Sequence, residues 1–120
     1  MTTLKAAGIT MCYGSDMLGA LHPYQNGEFS LRSKVLTPLE VLQSATVNAA
    51  KLLRMEGRLG CVKEGAIADL LVLDSNPLDD ISILDGLAGA VPGIDMIMKD
   101  GRVVFSRIID FTVDPLYRKL

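Results

Sequence analysis

The sequence predicts an α/β chain, in which one strand and a helical segment precede a β-rich region. An apolar run at residues 8–13 lies between two glycines, and two helix-start signals follow within residues 37–55. From Gly57 onward the segments are bounded by glycine and rich in strand-forming residues. These changes in pattern predict a boundary near residue 56, with residues 1–56 and 57–120 as two segments of different architecture.

The first predicted element is a short buried strand at residues 8–13, "GITMCY", because this run is almost entirely apolar. Residues 14–36 are expected to be mostly loop, since glycine, proline and asparagine interrupt them repeatedly. Within this loop, residues 30–35 are predicted to be helical.

Two short helices are predicted next. Thr37 is a suitable cap, Pro38 suits the first helical position, and Glu40 completes a capping box. Thr46 then precedes a second helical pattern, "VNAAKLLRM". Each helix is expected to bury one stripe of residues at three-residue spacing: Leu39, Leu42 and Ala45 in the first, Val47, Ala50 and Leu53 in the second.

The region after residue 56 is predicted to contain a strand at 68–74 and a hairpin. The strand leads into the turn "SNP", and the hairpin pairs residues 95–98 with 102–105 around Lys99-Asp100-Gly101, because Asp-Gly is a strong hairpin signal. Residues 78–87 are expected to form a short helix or an irregular connection. No periodicity is evident in residues 110–120.

The composition excludes several classes of protein. Hydrophobic residues make up 49% of the 120 residues, charged residues 22%, and the formal net charge is −2. No basic run suggests nucleic-acid binding, and no apolar stretch is long enough to span a membrane. The N-terminus does not resemble a signal peptide, so we expect a cytoplasmic protein. Cys12 and Cys61 have no metal-binding spacing and are predicted to be free, buried thiols.

Three motifs together resemble the metal-dependent amidohydrolase superfamily, in particular its imidazolonepropionase-like and Xaa-Pro dipeptidase-like branch. "GSD" at 14–16 resembles the end of the eighth strand of the family's barrel. "LTPLEVLQSATVNAAKLLRM" at 36–55 is similar to the helices that follow that strand. "GRLGCVKEGAIADLLVLDSNPLDDI" at 57–81, with "MIMKDGRVV" at 96–104, is similar to the chain's return into a small β-sandwich.

The resemblance implies a specific fold for each segment. Residues 1–56 would be the last β/α unit of a TIM-type amidohydrolase barrel, and residues 57–120 would be part of a small β-sandwich domain. A complete barrel needs ~200–250 residues, so we expect this chain to correspond to the C-terminal part of an amidohydrolase. Strands that lack their barrel and sandwich neighbours are expected to make the chain a homo-oligomer.

Asp16 is the main candidate site residue. In a barrel enzyme the carboxyl ends of the strands face the active site, and a carboxylate there is compensated by a cation or by hydrogen bonds. The resemblance implies that Asp16 binds a divalent metal, zinc or another, and accepts a proton from the attacking water. Ser15 is expected to hold the carboxylate by a hydrogen bond. The alternative is that Asp16 only caps a turn.

His22 and Arg32 are candidate substrate-binding residues. His22, the single histidine, lies in the loop after Asp16, where an imidazole can bind a carboxylate or orient a leaving group; an exposed, idle histidine is the alternative. Arg32 offers a bidentate anion anchor, with a plain surface role as the alternative.

The remaining acidic residues have simpler interpretations. Asp79 and Asp80, with Asp74 and Asp85, lack the regular loop of a calcium site and are interpreted as a solvated acidic turn. Asp69 is expected to make structural hydrogen bonds.

Two functions of different classes follow. The first is part of an enzyme that hydrolyses C–N bonds in small amide, cyclic amide or dipeptide-type substrates, inactive as this chain alone because the other metal ligands are missing. The second is a non-catalytic domain that associates with itself or with a partner chain. Metal content distinguishes the two.

Overall fold

The computed structural model describes residues 1–86, 93–108 and 113–117. The helices are α1 (Thr2–Ala6), α2 (Glu28–Ser33), α3 (Pro38–Ala45) and α4 (Val47–Leu52), and the strands are β1 (Leu70–Leu73), β2 (Ile94–Lys99) and β3 (Arg102–Ser106). Single turns of 3₁₀ helix occupy Ile81–Leu84 and Pro115–Tyr117, and a longer 3₁₀ segment occupies Gly19–Gly27. Across the described ranges no helix is both long enough and apolar enough to cross a membrane.

The predicted strand at residues 8–13 is wrong for this chain, because residues 9–13 form neither helix nor strand. Side and main chains of the helix pair hold this segment instead. The Tyr13 N–H donates to the Ser44 carbonyl at 2.8 Å, and the Asn48 side-chain amide donates to the Met11 carbonyl at 3.0 Å. A strand requires a neighbouring strand for its hydrogen bonds, and the described part of the chain places none beside this segment.

The predicted loop at residues 14–36 is largely helical. It contains the 3₁₀ segment and α2, which begins two residues earlier and ends two residues earlier than the predicted helix at 30–35. The Asp85 carboxylate accepts a hydrogen bond from the Ser30 N–H at 3.1 Å, so a residue far along the chain helps fix the first turn of α2. The sequence pattern also predicts no element at the N-terminus, where α1 forms.

The helix pair and its capping box are confirmed. The Glu40 N–H donates to the Thr37 hydroxyl at 3.3 Å, and the Thr37 N–H donates to the Glu40 carboxylate at 2.7 Å. The predicted stripes are partly wrong, since Leu39 is 54% exposed and the buried residues of α3 are Val41 and Ser44. In α4 only Ala50 of its predicted stripe is buried. Helical spacing indicates that a stripe exists, but the neighbouring elements decide which stripe is covered.

The hairpin is confirmed, and β1 joins it to give an antiparallel sheet in the order β1-β2-β3. Lys99 pairs with Arg102 across the two-residue turn Asp100-Gly101, where both φ angles are positive (50° and 75°). Such angles match the turn that twists in the same sense as the strands. β1 is shorter than the predicted strand at 68–74, and a sheet of three strands is all that the described residues show of the expected sandwich.

The hydrophobic core joins the two predicted segments. Its buried members come from both sides of residue 56: Leu36, Val41, Ile81, Leu84 and Ile94. The boundary near residue 56 therefore stays a prediction. The short connection predicted at 78–87 contains the 3₁₀ turn at Ile81–Leu84, while residue 87 and most of the 110–120 tail lie outside the described residues.

Candidate active-site loop

Asp16 lies three residues after Tyr13, which the helix pair anchors through the Ser44 carbonyl. Its backbone is in the left-handed region with φ 54°, a conformation that non-glycine residues adopt at a cost and that aspartate tolerates better than most. The residue is exposed, and within the described residues its carboxylate takes part in no hydrogen bond or ion pair. The expected hydrogen bond from Ser15 is not formed. Asp16 is therefore a free, solvent-facing oxygen donor at the start of a fixed loop.

Tyr13 connects the beginning of this loop to its end. Its hydroxyl donates to the Gln25 carbonyl at 2.8 Å, and its ring lies 4.6 Å from the Phe29 ring, centre to centre. Burial, with a contribution from the nearby Glu28 carboxylate, raises the pKa of Tyr13 to about 12. The phenol therefore stays protonated at neutral pH and remains a hydrogen-bond donor.

Arg32 is buried rather than on the surface, since only 7% of the residue is exposed. Its Nε donates to the Glu28 carboxylate at 2.8 Å, one helical turn earlier in α2. Its Nη2 donates to the Gly14 carbonyl at 3.4 Å, and the guanidinium carbon lies 5.3 Å from the centre of the Tyr13 ring. The alternative of a plain surface role for Arg32 is therefore wrong.

His22 is exposed in the 3₁₀ segment Gly19–Gly27, six residues after Asp16. In the described part of the chain its imidazole forms no hydrogen bond or ion pair. The structure therefore brings Arg32, but not His22, into contact with the beginning of the Asp16 loop. Substrate binding by either residue stays a prediction.

The donor set for a metal ion is incomplete. No group of three or more histidine, cysteine, aspartate or glutamate side chains close enough to hold a metal exists among the residues that the structure describes. A catalytic zinc takes three protein ligands and keeps one open position. Asp16 fits one carboxylate ligand, but the described residues do not fit a complete metal site.

Asp69, Asp79 and Asp80 behave as predicted, whereas Asp85 is half-buried and its carboxylate accepts a hydrogen bond from the Ser30 N–H, so its assignment to a solvated acidic turn is wrong. The Asp79 carboxylate accepts from the Asn76 amide at 3.0 Å, and the Asp80 carboxylate accepts from the Ser82 N–H at 2.9 Å, which are turn contacts. Asp69 accepts hydrogen bonds from Lys99 and from the Asp100 N–H, which lower its pKa and tie β1 to the hairpin turn. Cys12 and Cys61 are free, as predicted, but half-buried rather than fully buried.

The sequence pattern does not predict the cluster around Tyr13. Glu28 and Arg32 are four residues apart, which is the spacing of an ion pair on a helix, so this part of the cluster had a signal. No signal in the sequence indicated that Tyr13 takes part in the cluster. Its side-chain partners lie 12 to 19 residues away, in the segment 14–36 that was predicted to be mostly loop.

Comparison with known proteins gives one family. The sequence model described as "Amidohydrolase family" matches residues 2–104. Imidazolonepropionase from Thermoplasma acidophilum is 32% identical over 92 residues, covering 77% of this chain and 20% of the relative. Ochratoxinase from Aspergillus niger is 33% identical over 78 residues, covering 64% of this chain and 16% of the relative.

Solved structures give the same result. A prolidase crystallised with N-methylphosphonate-L-proline is 43% identical with a TM-score of 0.78, covering 86% of this chain and 24% of that one. A crystallised amidohydrolase is 41% identical with a TM-score of 0.80, covering 89% of this chain and 25% of that one. The chain thus spans about a quarter or less of the proteins that it matches.

Proposed function

The chain belongs to the amidohydrolase family, and we propose that it is the C-terminal part of a metal-dependent amidohydrolase that hydrolyses C–N bonds in small molecules. The observation that carries the proposal is Asp16. It is an exposed, uncompensated carboxylate in left-handed backbone conformation, directly after a segment fixed by the helix pair. A turn-capping aspartate, the alternative role, would accept a hydrogen bond from a nearby N–H, and none is formed in the described chain.

A dipeptide-type substrate has more support than a cyclic amide. The solved structures at 41–43% identity include a protein named prolidase with a proline phosphonate bound, and a Xaa-Pro dipeptidase with bound methionine is 31% identical. The imidazolonepropionase and ochratoxinase relatives are about one-third identical over shorter stretches. We therefore propose short peptides or N-acyl amino acids as the first substrates to test.

The metal, zinc or another divalent ion, is implied by the family, and the described residues alone form no complete site for it. Asp16 supplies one carboxylate, and the described residues contain no group of three or more histidine, cysteine, aspartate or glutamate side chains that could hold a metal. We propose that the remaining ligands come from another part of the protein or from another chain. In isolation the 120-residue chain is then inactive, and Asp16 acts only as a solvated carboxylate.

A second candidate function is a non-catalytic domain that associates with itself or with a partner chain. The 8–13 segment favours it, because this apolar run has no strand partner in the described chain and Ile9 is 52% exposed. β1 adds an outer strand whose residues are all apolar, with Leu71 half exposed. Both features favour association, which closes most simply as a two-fold dimer.

Metal content and turnover test the proposal together. We expect the purified chain, dialysed against zinc, to retain no stoichiometric zinc and to hydrolyse no N-acyl amino acid or Xaa-Pro dipeptide. Chelator-sensitive turnover by the chain alone, lost in Asp16→Asn, would contradict the proposed incompleteness of the site. Tight zinc that Asp16→Asn does not release would place the metal elsewhere and overturn the role of Asp16.

A further inference from the structure

Arg32 lies at the centre of a cluster of buried and half-buried side chains next to the two residues where the Asp16 loop begins. The cluster consists of Tyr13, Glu28, Phe29 and Arg32. The side chains of Arg32 and Glu28 are only 8% and 10% exposed, so this ion pair is withdrawn from water. A buried guanidinium is tolerated only when its donors and charge are compensated.

Two of the three guanidinium nitrogens have a hydrogen-bond partner in the described chain. Nε donates to Glu28 at 2.8 Å, Nη2 donates to the Gly14 carbonyl at 3.4 Å, and the guanidinium carbon lies 5.3 Å from the centre of the Tyr13 ring. Within the described residues, no buried polar side-chain atom lacks a hydrogen-bond partner. Because only 7% of the residue is exposed, little of Arg32 is available to a ligand in solution.

Contacts from the cluster and from the helix pair fix Tyr13 and Gly14, the two residues that precede Ser15 and Asp16. Tyr13 is held through its N–H by the Ser44 carbonyl and through its hydroxyl by the Gln25 carbonyl, each at 2.8 Å. Arg32 then holds the next carbonyl, that of Gly14. Only Ser15 separates this anchored pair from Asp16, whose own carboxylate has no contact to orient it in the described chain.

We infer that Arg32 is a positioning residue: it fixes the Gly14 carbonyl, and through it the backbone that carries Asp16, and it does not bind the substrate. The inference rests on the proposed role of Asp16 and deepens it. The planar guanidinium is required, because it reaches Glu28 and Gly14 at once while stacking on Tyr13; the single ammonium of lysine cannot do all three.

Backbone ¹⁵N relaxation of the full 120-residue chain tests the inference. We expect rigid amides at Ser15 and Asp16 in the wild type, with order parameters of about 0.85, falling below about 0.6 in Arg32→Lys. Val41 and Ala50, both buried in the helix pair, serve as internal references and are expected to stay rigid. Arg58→Lys, at an exposed arginine outside the cluster, is the matched control and is expected to change neither region.

A double variant removes the difficulty of an unpaired buried charge. Glu28→Leu with Arg32→Met replaces the ion pair by apolar side chains, a change that buried pairs often tolerate. We expect it to keep the fold and still loosen Ser15 and Asp16, because the bond to Gly14 is lost. Equal loosening of Val41 and Ala50, unfolding of both variants, or unchanged order at Ser15 and Asp16 would each overturn the positioning role.

A titration separates positioning from substrate binding. With N-acetylglycine as a carboxylate probe, we expect no saturable shift of the Arg32 Nε–H resonance in the wild-type chain. A saturable shift would show that Arg32 binds anions and would overturn the inference. The proposed role of Asp16 is independent of these outcomes, since it is tested by zinc content and turnover.

Discussion

Residues 8–13 are an apolar run next to glycine, and residues 94–106 contain two short apolar stretches on either side of a glycine turn, yet the two regions behave differently. Residues 94–106 form β2 and β3, which pair with each other across the two-residue turn at Asp100-Gly101. Residues 9–13 form no strand, and the helix pair holds them through the Ser44 carbonyl and the Asn48 amide. In the hairpin each strand pairs with the next one along the chain, because a tight turn is enough to join antiparallel strands. A barrel strand instead needs neighbouring strands from distant parts of a chain.

The largest expected effect concerns Asp16, which lies three residues after the end of the 8–13 segment. In a complete amidohydrolase containing these residues, Asp16→Asn is expected to lower kcat by about two to four orders of magnitude, because a positioned acid–base group contributes that much. Steady-state kinetics measure the effect, with Asp79→Asn at an exposed turn as the matched control. Near-normal turnover of Asp16→Asn would make Asp16 a turn residue.

The next largest expected effect is a loss of stability when a core side chain that packs against both parts of the chain is shortened. Leu84 is 4% exposed and packs in the core with Leu36, Val41 and Ile94. Leu84→Ala is expected to lower the free energy of unfolding by about 2–5 kcal/mol, as for other large-to-small core changes. Urea denaturation is expected to show one transition for both regions. Val62→Ala, at a residue 86% exposed, should change little; two separate transitions would show that the regions are independent.

The hairpin turn can be weakened without touching any neighbouring side chain. At Gly101 (φ 75°) a Cβ would meet nothing within 4 Å, so Gly101→Ala introduces only backbone strain. We expect a loss of about 1–2 kcal/mol in the free energy of unfolding, the cost of left-handed backbone for an L-residue. Gly14→Ala is the matched control, because its φ lies outside the left-handed region and its Cβ also meets nothing. Equal losses in thermal melts would contradict this account of the turn.

The smallest expected effect is the pH dependence of the capping box. A hydrogen bond from Lys5, together with those from Thr37, lowers the pKa of Glu40 from 4.5 to about 2. Because the folded-state pKa is depressed, the stabilisation is present above pH 4.5 and is lost as the pH falls towards 2. The melting temperature of the wild type should exceed that of Glu40→Gln at pH 6, and the difference should shrink at pH 2–3. A difference independent of pH would show that the Glu40 charge contributes nothing.

The sequence predicted the elements whose signals are local. The capping box at Thr37 and Glu40, the Asp-Gly turn and the contacts of Asp69 are all decided by residues close in sequence or in register, and all are confirmed. The prediction of a strand at 8–13 was wrong because a strand needs a neighbouring strand, and the apolar pattern of a segment does not show whether one is present. The prediction that Leu39 is buried was wrong for a related reason. Packing against elements distant in sequence decides which face of α3 is buried.

The sequence named Asp16 as the candidate site residue, a role that stays a prediction, but it did not predict the environment of that residue. The motif around Asp16 named the residue, while its left-handed backbone and its lack of compensating contacts needed the structure. For Arg32 the sequence predicted a substrate-binding residue or a surface residue. In the structure Arg32 forms a buried ion pair with Glu28, and its guanidinium lies over the Tyr13 ring. The apolar pattern of residues 8–13 placed Tyr13 in a strand and indicated no role for it in the site.

Sedimentation equilibrium of the purified chain at micromolar concentration tests most directly whether the 8–13 segment needs neighbours that the hairpin does not. The account predicts a homo-oligomer, most simply a dimer with twice the 12.9 kDa mass of the chain, because unpaired apolar segments associate. A well-folded monomer of 12.9 kDa would contradict it, and would show that contacts with the helix pair suffice for this segment.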